Sequence, residues 1–170
     1  SVSGQLTTFY FYKDYRYWLT VVAFLSSACI FWGTIAWLPS YLKVARNFSW
    51  AQMGSLASLP YLLGAICVVV CGILADQIKR KTLLSITSLL GASCCLFYGA
   101  FVEDNLLSAY LMSGAIGFLG VGLASYWTVM QSIVPTRFVG SAAGVMNGVA
   151  SLGSASMPVI VGYLIALTGS

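Results

Sequence analysis

The residues able to make or break bonds are few, and they are badly placed for it. The acids are Asp14, Asp76, Glu103 and Asp104, and histidine is absent, so the usual general acids, bases and imidazole ligands are missing. The cysteines are Cys29, Cys67, Cys71, Cys94 and Cys95, all inside apolar runs rather than in loops where an oxidised framework is built. Cys67 and Cys71 share a helical face at a spacing that suits a metal or redox pair. With no further ligand beside them, small apolar packing is the better account. No catalytic residue, metal or cofactor is expected.

What remains is polar and aromatic chemistry inside apolar sequence. Asn147 sits about a third of the way into an apolar run, and a buried amide there must bond another helix or a ligand. Tyr126, Trp127, Thr128 and Gln131 form one cluster; Trp32, Thr34, Trp37 and Tyr41 form another. Interfacial aromatics anchor helices at the headgroups, which suits Trp18, Trp50 and Tyr41 better than Trp32 or Trp127. No apolar run carries a charge at its centre, so proton-relay chemistry of the intramembrane kind has no candidate.

The elements that must hold these residues are membrane helices. Charged residues are 7% of the chain and hydrophobic ones 59%, against about 25% charged in a soluble domain, and mean hydropathy is +0.91. A span needs about 20 mainly apolar residues. Five runs qualify, over about 17–42, 52–75, 82–101, 106–134 and 138–167, joined by loops short enough to make neighbours antiparallel. The predicted fold is an all-α membrane bundle, with no nucleic-acid partner.

Local signals mark the boundaries. Ser49-Trp50-Ala51-Gln52 fits a capping box. Glu103-Asp104-Asn105 places acids at a helix start, where the dipole favours them, and Pro135-Thr136 interrupts the last two runs. Lys13, Arg16, Lys79, Arg80, Lys81 and Arg137 fall on one side of such a bundle, and Lys43 and Arg46 on the other. Six cations against two place the N-terminal stretch in the cytoplasm and the C-terminal end outside.

Glycines at 114, 117, 120 and 122, and at 140, 144 and 148, predict close helix packing along small-residue stripes. Pro39, Pro60 and Pro158 predict kinks. The chain opens Ser1-Val2-Ser3 without a signal-peptide pattern and stops straight after an apolar run, which reads as a segment of a longer protein.

The stretch Gly72-Ile73-Leu74-Ala75-Asp76-Gln77-Ile78-Lys79-Arg80-Lys81 resembles the signature between paired helices of major facilitator transporters, with Gln77 and Lys79 departing from it. Trp37-Leu38-Pro39-Ser40-Tyr41-Leu42 resembles the end of helix seven in the anion:cation symporter branch, and Ser58-Leu59-Pro60 resembles part of helix eight. Gly140–Gly144 with Asn147, Pro158, Gly162 and Thr168-Gly169-Ser170 is similar to helix eleven. The alternative placement, in the first half of such a transporter, expects an arginine in the fourth span, and none is there.

The resemblance implies a major-facilitator-type bundle. Residues 1–16 would end a cytoplasmic central loop, and residues 17–170 would be five helices, seven to eleven, of a six-helix C-terminal half. The N-terminal half and helix twelve would be partners supplied by the same protein, in a plasma or inner membrane. It further implies secondary transport of a small organic anion, a carboxylate or sugar acid, by alternating access coupled to protons or cations. Trp127 and Asn147 then match cavity-facing positions, with Tyr126 beside them and Trp32 and Thr34 as lining residues. Gly72, Asp76, Arg80 and Lys81 carry the conformational motif. Two readings compete with this one: a facilitator of another substrate class, and a non-transporting assembly or sensor subunit that uses its glycines for packing alone.

Overall fold

The computed structural model describes residues 11–75 and 81–168, and every regular element among them is helical. The helices are α1 (Tyr15–Ser40), α2 (Trp50–Ala75), α3 (Lys81–Phe101), α4 (Asn105–Ile133), α5 (Val139–Ala155) and α6 (Met157–Thr168). They make five segments long and apolar enough to cross a bilayer, with α5 and α6 sharing the last. In hydrocarbon every backbone donor must be satisfied within the segment, which is what an uninterrupted helix achieves.

The helix starts have side-chain causes. Asp14 accepts from the Arg16 backbone N–H at 2.9 Å and caps α1. At α2 the box closes reciprocally: Ser49 N–H donates to Gln52 Oε1 at 3.0 Å, and Gln52 N–H donates to Ser49 Oγ at 3.3 Å. Asp104 Oδ1 accepts from Leu107 N–H at 2.8 Å and starts α4.

Two prolines shape the helix ends. Pro39 has no N–H for the Ile35 carbonyl, and the chain widens into a π-turn at Tyr41–Ala45 before Asn47 reverses it at φ 55°. Pro158 likewise cannot donate to the Ser154 carbonyl. The run expected as one helix over about 138–167 therefore breaks at Ser156, whose hydroxyl donates to Gly153 O at 2.6 Å.

α4 is the hub: α2 and α3 pack along it, α1 packs on it more lightly, and α5 packs mainly on α1 while sharing a core cluster with α1 and α4. Small residues set the approach. A Cβ built on Gly120 would come 3.0 Å from Gly64 O and 3.1 Å from Cys67 Cβ, and one on Gly117 3.4 Å from Cys67 Sγ. Cys67 thus serves as packing. Hydroxyls add ties between α3 and α4, with Ser85 and Ser125 2.6 Å apart and Ser108 donating to Gly99 O at 2.6 Å.

The second glycine stripe behaves differently from the packing expectation. A Cβ on Gly140, Gly144 or Gly148 would meet nothing within 4 Å. α5 turns its other side, Ala142, Met146 and Ala150, into the core with Tyr17, Val21 and Phe24 of α1. Tyr17 Oη fixes that rotation by donating to Ala142 O at 2.9 Å. The stripe is therefore left uncovered by the described residues.

Candidate functional site

α1 presents one continuous face, Phe24, Ser27, Ala28, Phe31 and Trp32, at the three- and four-residue steps that keep side chains in line on a helix. With Pro60, Tyr61 and Gly64 of α2, and Ile116, Leu119 and Leu123 of α4, this face encloses a cavity of about 380 Å³. The walls are aromatic and aliphatic, with the Ser27 and Tyr61 hydroxyls as polar points and no Asp, Glu, Lys or Arg among them. Such a lining can stack on a ligand and hydrogen-bond it, and it cannot supply acid–base catalysis.

The sequence-predicted residues do not all converge there. Trp32 lines this cavity and is 55% exposed. Thr34 is two residues on, about 200° around a helix, and faces a different hollow of about 770 Å³. That hollow lies between α1 and α6 and is lined by Cys29, Gly33, Trp37, Met157 and Val161.

Tyr126 and Trp127 grip the same ring. Phe24 meets Tyr126 edge-on at 5.8 Å and Trp127 at 5.3 Å between centroids. Through Phe24 both are coupled to the wall of the Trp32 cavity. Tyr126 is completely buried, while Trp127 is half-buried.

Asn147 lies apart, exposed on the uncovered side of α5 with Gly140, Gly144 and Gly148. Sharing that side follows from the helical spacing of 140, 144, 147 and 148. Among the described residues its amide makes no hydrogen bond, so both its donor and its acceptor face outward from this bundle.

Of the conformational motif, Gly72 sits in the last turn of α2 with open space where a Cβ would be, and Lys81 opens α3. Asp76 and Arg80 lie outside the described residues. The five cysteines are free thiols, and no three His, Cys, Asp or Glu side chains converge among the described residues.

Phe24, Ser27 and Tyr61 went unnoticed in the sequence. The in-line spacing of residues 24, 27, 28, 31 and 32 was the signal available for the first two. Tyr61 had no such signal, because its place depends on how α2 is rotated against α4.

Comparison with known proteins places the arrangement in a family. The chain is 30% identical to a D-galactonate transporter of Escherichia coli O6:H1 over 145 residues, 81% of this chain and 33% of that protein. It is 31% identical to a probable sulfoacetate transporter of Cupriavidus necator, covering 91% of this chain and 38% of the relative. A hexuronate transporter of Bacillus subtilis shares 27% identity over 96% of this chain and 41% of its own length. The chain thus spans well under half the length of these relatives. The model of the Major Facilitator Superfamily matches residues 4–158, and with five helical segments long and apolar enough to cross a bilayer, this chain belongs to that superfamily of multi-pass membrane proteins.

Proposed function

We propose that this chain forms part of the C-terminal half of a secondary transporter, helices seven to eleven of twelve, and supplies one wall of a cavity for a small organic anion. Asn147 carries the reading. An amide with no hydrogen bond among the described residues, on a glycine-lined face that none of them covers, is suited to a polar ligand or a second half closing against it. Trp127 and Trp32 add stacking surfaces, with Phe24 packed on the Trp127 ring and Phe31 on the Trp32 ring.

The relatives point to the ligand class. Their names specify galactonate, hexuronate and sulfoacetate, each an anion with small polar groups. For this chain we take the substrate class to be sugar acids and similar small carboxylates or sulfonates. Transport proceeds by alternating access, with the two halves rocking about the cavity. No Asp, Glu, Lys or Arg lies inside the five apolar spans away from their ends, and on this reading the charge that pairs with the anion, and any proton-carrying acid, lies in parts of the protein outside this chain.

The test is uptake by the intact protein in proteoliposomes, with an inward proton gradient and labelled galactonate, glucuronate, galactarate and sulfoacetate offered in turn. At least one should accumulate, and a protonophore should abolish the accumulation. Inertness toward all four, with a correctly inserted protein, would remove the organic-anion assignment. Uptake that ignores the protonophore would remove only the proton coupling.

A further inference from the structure

We propose that the cleft between α1 and α3 holds one anionic phospholipid, its headgroup on Arg16 and a chain running inward over α4. The cleft has a volume of about 580 Å³, inside the range of roughly 300–1,000 Å³ for sites that take a discrete small molecule. α1 and α3 both start at this end of the bundle and form the walls, and α4 is the floor.

The lining changes character with depth. Arg16, Thr82 and Ser132 stand at the mouth, and Ala23, Leu89 and Tyr126 at the inner end. The two levels are about 10 Å apart along each helix, at 1.5 Å of rise per residue. The hydroxyls between them are already committed. Thr20 Oγ donates to Arg16 O at 2.9 Å, and Ser85 Oγ lies 2.6 Å from Ser125 Oγ. The inner part therefore offers an occupant mainly carbon, from Ala23, Ile86, Leu89 and Val129.

Charge decides the other end. Arg16 is the one charged side chain among the described residues of the lining. Asp14, two residues before it, has a carboxylate oxygen committed to the Arg16 backbone N–H. Lys13 lies three residues before Arg16, and Lys81 adjoins Thr82, so cations dominate around the mouth.

An anion whose remaining bulk is apolar satisfies both levels. A sugar acid, hydroxylated throughout, would leave its hydroxyls unpaired against the inner walls, so the site is separate from the proposed transport cavity and does not rest on that reading. The walls also carry the exposed side chains of Leu19 and Ile86, past which a chain can enter from surrounding hydrocarbon. Basic pockets between membrane helices draw anionic headgroups in this way.

The test takes the intact protein, stripped of lipid in detergent, and titrates it with phosphatidylglycerol or with phosphatidylcholine carrying the same chains. Native mass spectrometry counts the lipid retained. The wild type should retain phosphatidylglycerol several-fold better, Arg16→Gln should remove most of that preference, and Arg16→Lys should keep part of it. Arg16 is exposed, so these changes leave the packing intact. A benzophenone side chain placed at position 86 should crosslink to phosphatidylglycerol, and several-fold less when combined with Arg16→Gln. Equal retention of the two lipids, or a preference untouched by Arg16→Gln, would overturn the site. A crosslink from position 86 to another segment of the protein would overturn it too, because a helix would then fill the cleft. Excess glycerol phosphate should fail to displace the lipid; full displacement would make this a site for free anions and end the lipid assignment.

Discussion

The guanidinium of Arg46 donates from Nε to Tyr41 Oη at 2.7 Å, with its carbon 5.4 Å from the centre of the same ring. From there a relay runs inward. Tyr41 Oη lies 3.0 Å from Ser108 Oγ, which donates to Gly99 O at 2.6 Å. The other arms of Arg46 reach Gly99 O, Glu103 O and Asn105 Oδ1 at 3.3–3.4 Å, and Asn105 Nδ2 returns a bond to Arg46 O at 3.2 Å. One side chain thus ties the end of the first span to the turn between α3 and α4.

Arg46→Ala should therefore lower the unfolding free energy by about 1.5–3 kcal/mol, the range for hydrogen bonds to a charged group, with the low end favoured by its partial exposure. Arg46→Lys should recover little, because a single ammonium cannot reproduce the fork. Thermal unfolding of the purified protein reads this directly. An unchanged midpoint in Arg46→Ala would make the network ornamental.

The two glycine stripes should separate in their effects. Gly120→Leu drives a side chain into Gly64 O and Cys67, so α2 and α4 must part; overpacking of this kind costs about 1–3 kcal/mol. The variant should lose thermal stability and membrane accumulation. A Cβ on Gly144 would meet nothing within 4 Å; if the other half closes on α5 as proposed, Gly144→Leu should accumulate like the wild type and still transport poorly. Normal transport by Gly144→Leu would mean that the stripe merely faces lipid.

Trp37 holds the broken last span to the first. Its indole Nε1–H donates to Pro158 O at 3.2 Å, and a Cβ on Gly162 would lie 3.2 Å from the ring. Trp37→Phe should cost about 0.5–1.5 kcal/mol for the lost bond. It should also widen the hollow that Trp37 shares with Cys29. Maleimide labelling of Cys29 is the readout: faster modification in Trp37→Phe is expected, and an unchanged rate would separate the two residues.

Legibility in the sequence followed the range of the forces involved. The capping box at Ser49 and Gln52 and the cap at Asp104 are local, a few residues wide, and the structure closes both. Apolar runs of span length were equally plain. What local patterns could not supply was each helix's rotation about its axis. That rotation decides which hollow Trp32 and Thr34 each face, buries Tyr126 while half-exposing Trp127, and turns Gly144 away from the core instead of into it. Arg46 was legible only as a topological charge, since its partners at Gly99, Glu103 and Asn105, from the end of α3 to the start of α4, lie more than fifty residues on.

Asn147 and Trp127 should report on substrate in different ways. Asn147 is exposed and bonded to nothing described, so Asn147→Ala should leave thermal stability within about 0.5 kcal/mol. If its amide bonds the anion, uptake should weaken by the roughly tenfold that loss of one such bond, about 1.4 kcal/mol, produces. Trp127 also packs on Phe24, so Trp127→Ala should lose both uptake and stability, whereas Trp127→Phe should restore the stability and only part of the uptake. Concentration-dependent uptake in proteoliposomes, alongside unfolding midpoints, distinguishes these outcomes. Unimpaired transport by both Asn147→Ala and Trp127→Ala would move the substrate wall to other residues, with the Phe31–Trp32 side of the aromatic cavity next in line.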